Sequence, residues 1–332
     1  MIPQDKIEAV TRSLTDAFGV HSFDDIQDLT DRPGSNRAFR ITVRGSKYLL
    51  RINTRAGDMT RHFTCMRAAA EAGLAPRVHY TSPEDRVSIT DFVKVAPLPA
   101  ADALRRVPTT LRALHALPPF PPSPFNTTCT FLLNKGTALD GFLQAFRAAN
   151  ILPAQDIDQL FAQYDRLAAA VSSLAPDLAP SHNDLFKPDN MLFDGSRLWL
   201  VDWEAAFQND RYADLAVAAN MLAGNEAEEQ IYLREYFGAP PTPYQAARFY
   251  LMRQLAHTFY AMVFLNMGAA GQPIDWSAQV PSYADFQRGF WAGERKLADN
   301  PSKLVYGRVH WEQLQQNLRQ PRFADALKMV AA

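Results

Sequence analysis

The segment 182–214 constrains this chain most, because it sets chemically active polar residues around short apolar runs. The apolar run 198–201 leads directly into Asp202, and a turn at 194–195 is predicted to bring Asp202 back beside the preceding loop. One carboxylate near a hydroxyl, with an amide and a second carboxylate as oxygen ligands, suits metal-dependent phosphoryl transfer. The preceding loop supplies three such residues: His182, Asp184 and Asn190.

Each of these residues has an ordinary structural alternative. A His-x-Asp pair on its own is common in turns, so Asp184 becomes a candidate for orienting and deprotonating a hydroxyl only in this context. Asn190 in the same loop and Asp202 after the strand supply hard oxygen ligands suited to Mg²⁺ with a bound nucleotide. The combination therefore predicts a catalytic and metal-binding segment.

Composition limits the classes of protein to consider. The chain has 332 residues, of which 47% are hydrophobic and 21% charged, which is enough for two globular lobes. A net charge of −1 gives no electrostatic footprint for nucleic acid, and no apolar run is long enough to span a membrane. Cys65 and Cys129 form no CxxC spacing, which argues against a Cys-based zinc site. The N-terminus carries charges where a signal peptide would need an apolar core. We therefore expect a cytoplasmic protein.

Two halves with different patterns predict an α+β fold. Alternating apolar residues at 37–44 and 47–53 predict a β-hairpin, and further β-like runs lie at 77–81 and 86–92. After residue 93, proline clusters and helical spacing dominate. We predict a small antiparallel β-sheet N-lobe, residues 1–93, with helices beside the strands. The larger, mainly helical C-lobe is residues 94–332.

HNDLFKPDN, followed by LVDWEAAFQNDRYADLA, resembles the loop and metal aspartate of the aminoglycoside phosphotransferase and choline kinase superfamily. The pattern is most similar to the choline/ethanolamine kinase branch, including its LicA-type members. This resemblance implies a bilobal protein-kinase-like fold that uses ATP and Mg²⁺ to phosphorylate a small-molecule alcohol. It also implies that Asp184 is catalytic, that Asn190 and Asp202 bind the metal, and that Asp214 braces the loop.

The resemblance extends to the N-terminal half, where it implies a nucleotide site. PGSNRAFRI resembles the nucleotide loop of the family, which places Gly34, Ser35 and Asn36 near phosphates. An ordinary turn is the alternative interpretation. Arg51 stands where kinases carry a phosphate-binding lysine. Asp91, Phe92 and Val93 match the connector whose backbone meets an adenine ring.

Two departures from the family pattern stand out. The helix glutamate that usually pairs with the phosphate-binding cation is replaced by His62, and Glu71 lies near the helix end, so the partner of Arg51 is not identified. The family asparagine normally follows the catalytic aspartate by five positions, which is Asp189 here, whereas Asn190 comes one later. An extra residue near 186–187 is predicted to bulge the loop, with Asn190 as ligand and Asp189 as the alternative.

The acceptor is less constrained. Aromatic residues in the C-terminal helices favour a choline- or ethanolamine-like amino alcohol through cation–π contact, although such residues are more often core. An aminoglycoside would need an acid-lined pocket, and sugars and homoserine are further alternatives. A non-catalytic nucleotide-binding module is an alternative to an enzyme. A protein kinase is disfavoured because no Ala-Pro-Glu segment follows Asp202. The acids in question are Glu226, Glu228, Glu229 and Glu235.

Overall fold

The fold consists of two compact units. The computed structural model describes residues 2–30, 36–54, 59–122, 146, 148, 151 and 154–331, with backbone only at 154–157 and 159–160. The first unit is residues 1–98 together with 189–207, and the second is residues 99–188 together with 208–332. Across the described residues, no helix is both long and apolar enough to cross a membrane.

The first unit is built on a five-stranded antiparallel sheet in the order β1-β2-β3-β5-β4. The sheet and helix α1 (Ile7–Phe18) bury apolar residues that alternate along the strands, such as Phe39 and Ile41, so the period-two pattern fixes which face is covered. The predicted hairpin at 37–53 is confirmed. The strands are β1 (Asp25–Asp28), β2 (Arg37–Val43), β3 (Ser46–Ile52), β4 (Val78–Ser82) and β5 (Val87–Asp91).

Helix α2 (Thr60–Glu71) follows β3, and Gly73 ends this region with a φ of 72° that glycine adopts readily. A second hairpin, β7 (Met191–Phe193) with β8 (Leu198–Leu200), also belongs to the first unit. It is attached there by backbone hydrogen bonds, from Ala96 N–H to the Phe193 carbonyl (2.7 Å) and from Leu200 N–H to the Leu74 carbonyl (2.8 Å). The compact units therefore divide the chain differently from the predicted lobes 1–93 and 94–332.

The second unit is mainly helical. Its only described strand pair is β6 (Leu178–Ser181) with β9 (Phe207–Asp210), and β6 leads directly into the 182–188 loop. The described helices are α3 (Ala100–Leu114), α4 (Ala154–Ser172), α5 (Arg211–Leu222), α6 (Glu226–Phe237), α7 (Pro243–Ala269), α8 (Tyr283–Trp291), α9 (Asn300–Leu318) and α10 (Pro321–Ala331). The predicted breaks near residues 224, 238–243 and 271–273 are confirmed.

Helices α7 and α9 form the centre of the second unit. A capping box at Thr242 and Gln245 starts α7, and a second one starts α9. Gly268 and Gly307 lie where the two helices touch: a Cβ on Gly307 would come within 2.5 Å of the Leu265 backbone nitrogen, and one on Gly268 within 2.5 Å of the Leu304 nitrogen. The absence of side chains at these two positions allows the helix backbones to approach closely.

Candidate active site

The loop that carries Asp184 lies in the second unit and is braced by a buried carboxylate. Asp214, in the first turn of α5, accepts hydrogen bonds from the backbone N–H groups of His182 and Asn183, each at 2.8 Å. Burial works against the charged form of Asp214, but contacts with His115 and His182 hold its pKa below the ordinary value. The predicted bracing role of Asp214 is therefore confirmed by geometry.

Further residues hold this loop in shape. His115 Nε2 lies 3.3 Å from the Asp214 carboxylate, and its Nδ1 lies 2.8 Å from the Tyr236 hydroxyl. Asn183 has a φ of 64°, and its side-chain oxygen accepts a hydrogen bond from the Asn209 amide at 2.7 Å. These supports were missed from the sequence. His115 has no local signal, and Asn209 lies among other polar residues of a short strand, which gives it no signal of its own.

Asp184 itself is partly exposed and lies beside a cation. The Lys187 ammonium is 3.3 Å from the Asp184 carboxylate and 5.3 Å from the centroid of the Phe186 ring. Burial, and after it the negative charge of Asp184, raise the pKa of Tyr260 well above its ordinary value. Phe186 packs on Tyr260 and Phe264 of α7, with ring centroids 5.2 and 5.8 Å apart. In this loop, Phe186 therefore packs on aromatic side chains of α7, and Lys187 forms an ion pair with Asp184.

The two predicted metal ligands lie in the first unit. Asn190 closes a short 3₁₀ turn and is 3% exposed, and its carbonyl accepts a hydrogen bond from Val201 N–H at 3.0 Å. Since Val201 precedes Asp202, the backbone of Asn190 lies one residue from that of Asp202. Asp189, the alternative ligand, is exposed. The additional residue is therefore absorbed before Asn190, and the strand register places Asn190 close to Asp202.

Asp202 adopts an unusual backbone conformation. Its φ of 70° and ψ of 62° are left-handed, a region that costs a non-glycine residue about 1–3 kcal/mol. Asp202 lies two residues after the end of β8 and directly before the 3₁₀ turn Trp203–Ala205, so the chain leaves the hairpin at this carboxylate. Such strain persists only where the surroundings enforce it, and it is typical of functional positions.

Arg51 pairs with Asp202 in the same unit. Arg51 Nη1 lies 3.4 Å from Asp202 Oδ1, and the two side chains are 30% and 25% exposed. This contact supplies the partner that the sequence could not identify for Arg51. His62, at the position expected for the helix glutamate, is buried and packs edge-on against Phe63 at 4.9 Å, while Glu71 is exposed.

Of the three residues predicted in the nucleotide loop, Gly34 and Ser35 lie outside the described residues. The Asn36 amide donates a hydrogen bond to the Glu204 carboxylate, and its oxygen accepts from Thr54 N–H at 3.1 Å. Asn36 therefore joins the start of β2, the end of the β3 strand and the turn after Asp202. Glu204 thus contacts Asn36, a residue of the predicted nucleotide loop.

The predicted connector residues lie at the end of β5. Asp91 N–H donates to the Arg77 carbonyl at 2.9 Å, and its carboxylate lies 2.7 Å from His79 Nε2. Phe92 N–H donates to the Lys47 carbonyl at 3.3 Å. The backbone donors of Asp91 and Phe92 are therefore used inside the first unit, and Val93 follows them directly.

The metal donors fit Mg²⁺ in kind and number. Within the described ranges, no group of three or more His, Cys, Asp or Glu residues could form an all-protein metal cage. Mg²⁺ usually keeps several waters and binds through one or two carboxylates together with substrate phosphates. One carboxylate, Asp202, and one amide, Asn190, are therefore a suitable donor set for an ion that arrives with a nucleotide.

Three of the four acids considered for an aminoglycoside pocket have structural partners. Glu229 is buried against Arg253 and lies 2.5 Å from Arg322. Glu228 accepts the Gly224 N–H at 2.7 Å, and Glu235 pairs with an arginine of α3 at 2.8 Å. Most of the aromatic residues considered for a cation cage are core residues, as the sequence reasoning anticipated: Phe249, Tyr250, Tyr260 and Phe290 are buried.

The braced aspartate loop of the second unit and, in the first unit, the strained aspartate and the basic strand residue are each of a kind found in phosphotransferases. Comparison with sequence families agrees with this class. The chain belongs to the phosphotransferase enzyme family (APH), whose sequence model matches residues 30–250. A search of curated proteins gives no match.

Solved structures of that class share the fold along nearly the whole chain. A choline/ethanolamine kinase family protein from Mesorhizobium loti has 19% identity and a TM-score of 0.65, covering 98% of this chain and 99% of its own. Choline kinase LicA from Streptococcus pneumoniae has 15% identity and a TM-score of 0.54, covering 94% and 98%. A spectinomycin phosphotransferase in complex with ADP and spectinomycin has 11% identity and a TM-score of 0.56, covering 98% and 97%. The α+β, kinase-like fold predicted from the sequence is confirmed.

Proposed function

We propose that the protein is a Mg²⁺-dependent kinase that transfers the γ-phosphoryl group of ATP to the hydroxyl of a small amino alcohol. The observation that carries the proposal is the Arg51–Asp202 ion pair in the first unit, with the backbone of Asn190 hydrogen-bonded to Val201, the neighbour of Asp202. A guanidinium and a carboxylate in contact, with an amide residue one backbone position away, are suited to a nucleotide triphosphate with its metal ion. Solved relatives of similar fold include complexes with AMP and with ADP, which supports a nucleotide as the donor.

In this mechanism each protein group has a separate role. Asp202 and Asn190 would hold Mg²⁺, which would neutralise charge on the phosphates, and Arg51 binds phosphate oxygens with its permanently charged guanidinium. Asp184 accepts a hydrogen bond from the acceptor hydroxyl, orients it and takes up its proton as the new O–P bond forms, while the bond from the γ-phosphorus to the bridging oxygen breaks and ADP leaves. The Lys187 ammonium, 3.3 Å from the Asp184 carboxylate, places a positive charge beside this group.

The nucleotide base is assigned to the end of β5. Because the N–H groups of Asp91 and Phe92 donate to carbonyls of the first unit, we assign Val93 as the backbone donor to adenine. Asn36 supports the phosphate end through its link to Glu204 and Thr54. Gly34 and Ser35 complete the proposed phosphate loop.

An amino alcohol is favoured over an aminoglycoside for two reasons. Glu228, Glu229 and Glu235, which would line an acidic aminoglycoside pocket, are engaged in structural contacts. Phe186, in the loop of Asp184, is half-buried and offers an aromatic face that already lies 5.3 Å from the Lys187 ammonium. An aromatic face beside a carboxylate suits a substrate ammonium group through cation–π attraction.

The proposal is tested by measuring Mg²⁺-dependent ADP release with choline, ethanolamine, aminoglycosides, sugars and homoserine as acceptors. We expect turnover with choline or ethanolamine and a loss of about 10²–10⁴-fold in Asp184→Ala, because the group that removes the proton is gone. Acceptor-dependent turnover that is unaffected by Asp184→Ala would contradict the catalytic assignment. Turnover with aminoglycosides alone would replace the acceptor class and leave the reaction intact.

A paired substitution tests which loop residue binds the metal. Asn190→Ala is expected to lower activity at least tenfold and to raise the Mg²⁺ concentration needed for half-maximal rate, because an oxygen ligand is removed. Asp189→Ala is the matched control, since this neighbour is exposed, and its rate is expected to stay within about twofold of wild type. A larger effect at Asp189 than at Asn190 would reverse the assignment.

A further inference from the structure

Arg61, in the first turn of α2, contacts the turn that follows Asp202. Its Nη2 donates a hydrogen bond to the Glu204 carbonyl at 3.0 Å, and its Nη1 donates to the Ala206 carbonyl. The guanidinium also lies 6.0 Å from the centroid of the Phe207 ring. The Cys65 thiol, one helical turn further on, points to the same Ala206 carbonyl at 3.7 Å. One face of α2 therefore holds the turn 203–206.

The position of Arg61 is unfavourable for a helix on its own. The first turn of a helix carries a partial positive charge, so acids are stabilising there and cations are not. The first turn of α2 has no acidic residue, and the side chain of its N-cap, Met59, forms no capping hydrogen bond. Two backbone carbonyls from the turn 203–206 accept hydrogen bonds from Arg61, which offsets the unfavourable position of its charge.

The turn needs support at both ends because Asp202 has left-handed backbone dihedrals. At the N-terminal end, Val201 N–H donates to the Asn190 carbonyl at 3.0 Å. At the C-terminal end, Arg61 holds the carbonyls of Glu204 and Ala206. Removal of Arg61 takes away two hydrogen bonds to carbonyls of this turn, while the contact of Asn36 with the Glu204 side chain remains, so we expect the restraint on Asp202 to weaken.

We propose that Arg61 is a positioning residue that presets the Asp202 carboxylate for the metal ion. This inference rests on the proposed Mg²⁺-dependent transfer. His62 stands where a helix glutamate would pair with the phosphate-binding cation, and Arg51 instead pairs with Asp202. Helix α2 thus acts on the phosphate-binding cation indirectly, through Arg61, the turn 203–206 and Asp202. Arg61 touches neither the metal ion nor the nucleotide in this scheme.

The test compares Mn²⁺ binding to full-length wild type, Arg61→Met and Arg61→Lys, followed by electron paramagnetic resonance in the presence of ADP. Mn²⁺ is a suitable probe because it takes the same octahedral oxygen ligands as Mg²⁺. We expect the dissociation constant to rise at least tenfold in Arg61→Met. Arg61→Lys should lie between the two, since an ammonium restores charge but not the two-pronged contact. Thermal unfolding by circular dichroism shows that each variant is folded.

Arg67→Met is the matched control, because it removes an arginine of the same helix whose guanidinium contacts Thr81 instead of the turn. Its Mn²⁺ affinity is expected to stay within twofold of wild type. A folded Arg61→Met with wild-type affinity overturns the inference, as does an equal loss in Arg67→Met. If Arg61→Met does not fold, wild-type affinity in Arg61→Lys overturns it.

Failure of the proposed function gives a different result. A wild type that binds Mn²⁺ but turns over no ATP contradicts the phosphotransfer, while the Arg61 comparison still decides the positioning role. A wild type that binds no Mn²⁺ contradicts both. In an active enzyme, the half-saturating Mg²⁺ concentration is expected to rise in Arg61→Met by more than the KM for the acceptor.

Discussion

The Asp184 loop and the Asp202 turn are held in place by opposite means. The Asp184 loop lies in the second unit, and a fully buried carboxylate, Asp214, accepts its backbone N–H groups. The Asp202 turn lies in the first unit, where partly exposed arginines reach its carboxylate and its carbonyls. One region is stabilised by a buried anion and the other by cations at the protein surface.

This contrast separates stability from activity. Removing a buried acceptor leaves unsatisfied backbone donors, and such changes cost folding free energy. Partly exposed ion pairs contribute little to stability, since water screens them and replaces their hydrogen bonds. We therefore expect substitutions near Asp184's brace to unfold the protein, and substitutions at Asp202 to inactivate a folded one.

The largest effect is expected for Asp202→Asn, measured as the rate of Mg²⁺-dependent turnover. Loss of the charged metal ligand should lower the rate about 10²–10³-fold, whereas urea unfolding should change by less than about 1 kcal/mol. Asparagine tolerates the left-handed backbone found at this position, so the fold is spared. Glu84→Gln, an exposed carboxylate of the same unit, is the control and should match wild type. Retained turnover in Asp202→Asn would remove Asp202 from the metal site.

The second effect is expected for Asp214→Ala, measured by urea unfolding. The N–H groups of His182 and Asn183 lose their buried acceptor, so unfolding free energy should fall by about 3 kcal/mol. Asp177→Ala is the matched control, because that carboxylate forms a half-exposed pair with Arg211 and should cost less than about 1 kcal/mol. Equal losses in the two variants would show that burial does not distinguish these carboxylates.

The smallest expected effect is the loss of folding stability at acidic pH. His310 is buried between α7 and α9, and burial lowers its pKa to about 3; burial and then His310 also lower the pKa of His257. Because the unfolded chain takes up protons near pH 6.5 and the folded protein does not, stability is lost as pH falls from about 6.5 toward 3. Between pH 7 and pH 5 we expect a loss of about 2 kcal/mol from His310.

Hydrogen exchange at pH 7 and pH 5 measures this loss of stability and shows which helices it affects. The amides of α7 and α9, which carry the two histidines, should lose protection at pH 5. His310→Gln is the control, since it removes the titrating group and should flatten the pH dependence. Unchanged protection of α7 and α9 in wild type at pH 5 would show that these histidines do not titrate differently in the folded and unfolded protein.

Local patterns in the sequence predicted the elements of the fold well. The hairpin 37–53 and the helix that stops at Gly73 follow from alternation and turn chemistry, which act over a few residues. The strand β1 (Asp25–Asp28) was not assigned, because its residues are polar and show no alternation. It is defined only by pairing with β2.

The contacts that complete the candidate site join residues far apart in the chain. Arg51 and Asp202 are separated by 151 positions, and Asn36 and Glu204 by 168. A single sequence carries the residue types for such pairs but not their pairing, because hydrogen-bonding side chains have many possible partners. The motif around His182 named Asp184, Asn190 and Asp202 as candidates, whereas the role of Arg61 was not predicted from the sequence.

The first unit contains two separate stretches of the chain, 1–98 and 189–207. During synthesis, the hairpin with Asn190 and Asp202 therefore leaves the ribosome roughly a hundred residues after Leu98, about 5–20 s later at ordinary elongation rates. Until then the nascent sheet lacks the partners of Ala96 and Leu74. A fragment that ends at Leu98 never gains these backbone hydrogen-bond partners. An isolated N-terminal product is therefore expected to expose unpaired backbone groups and to depend on chaperones.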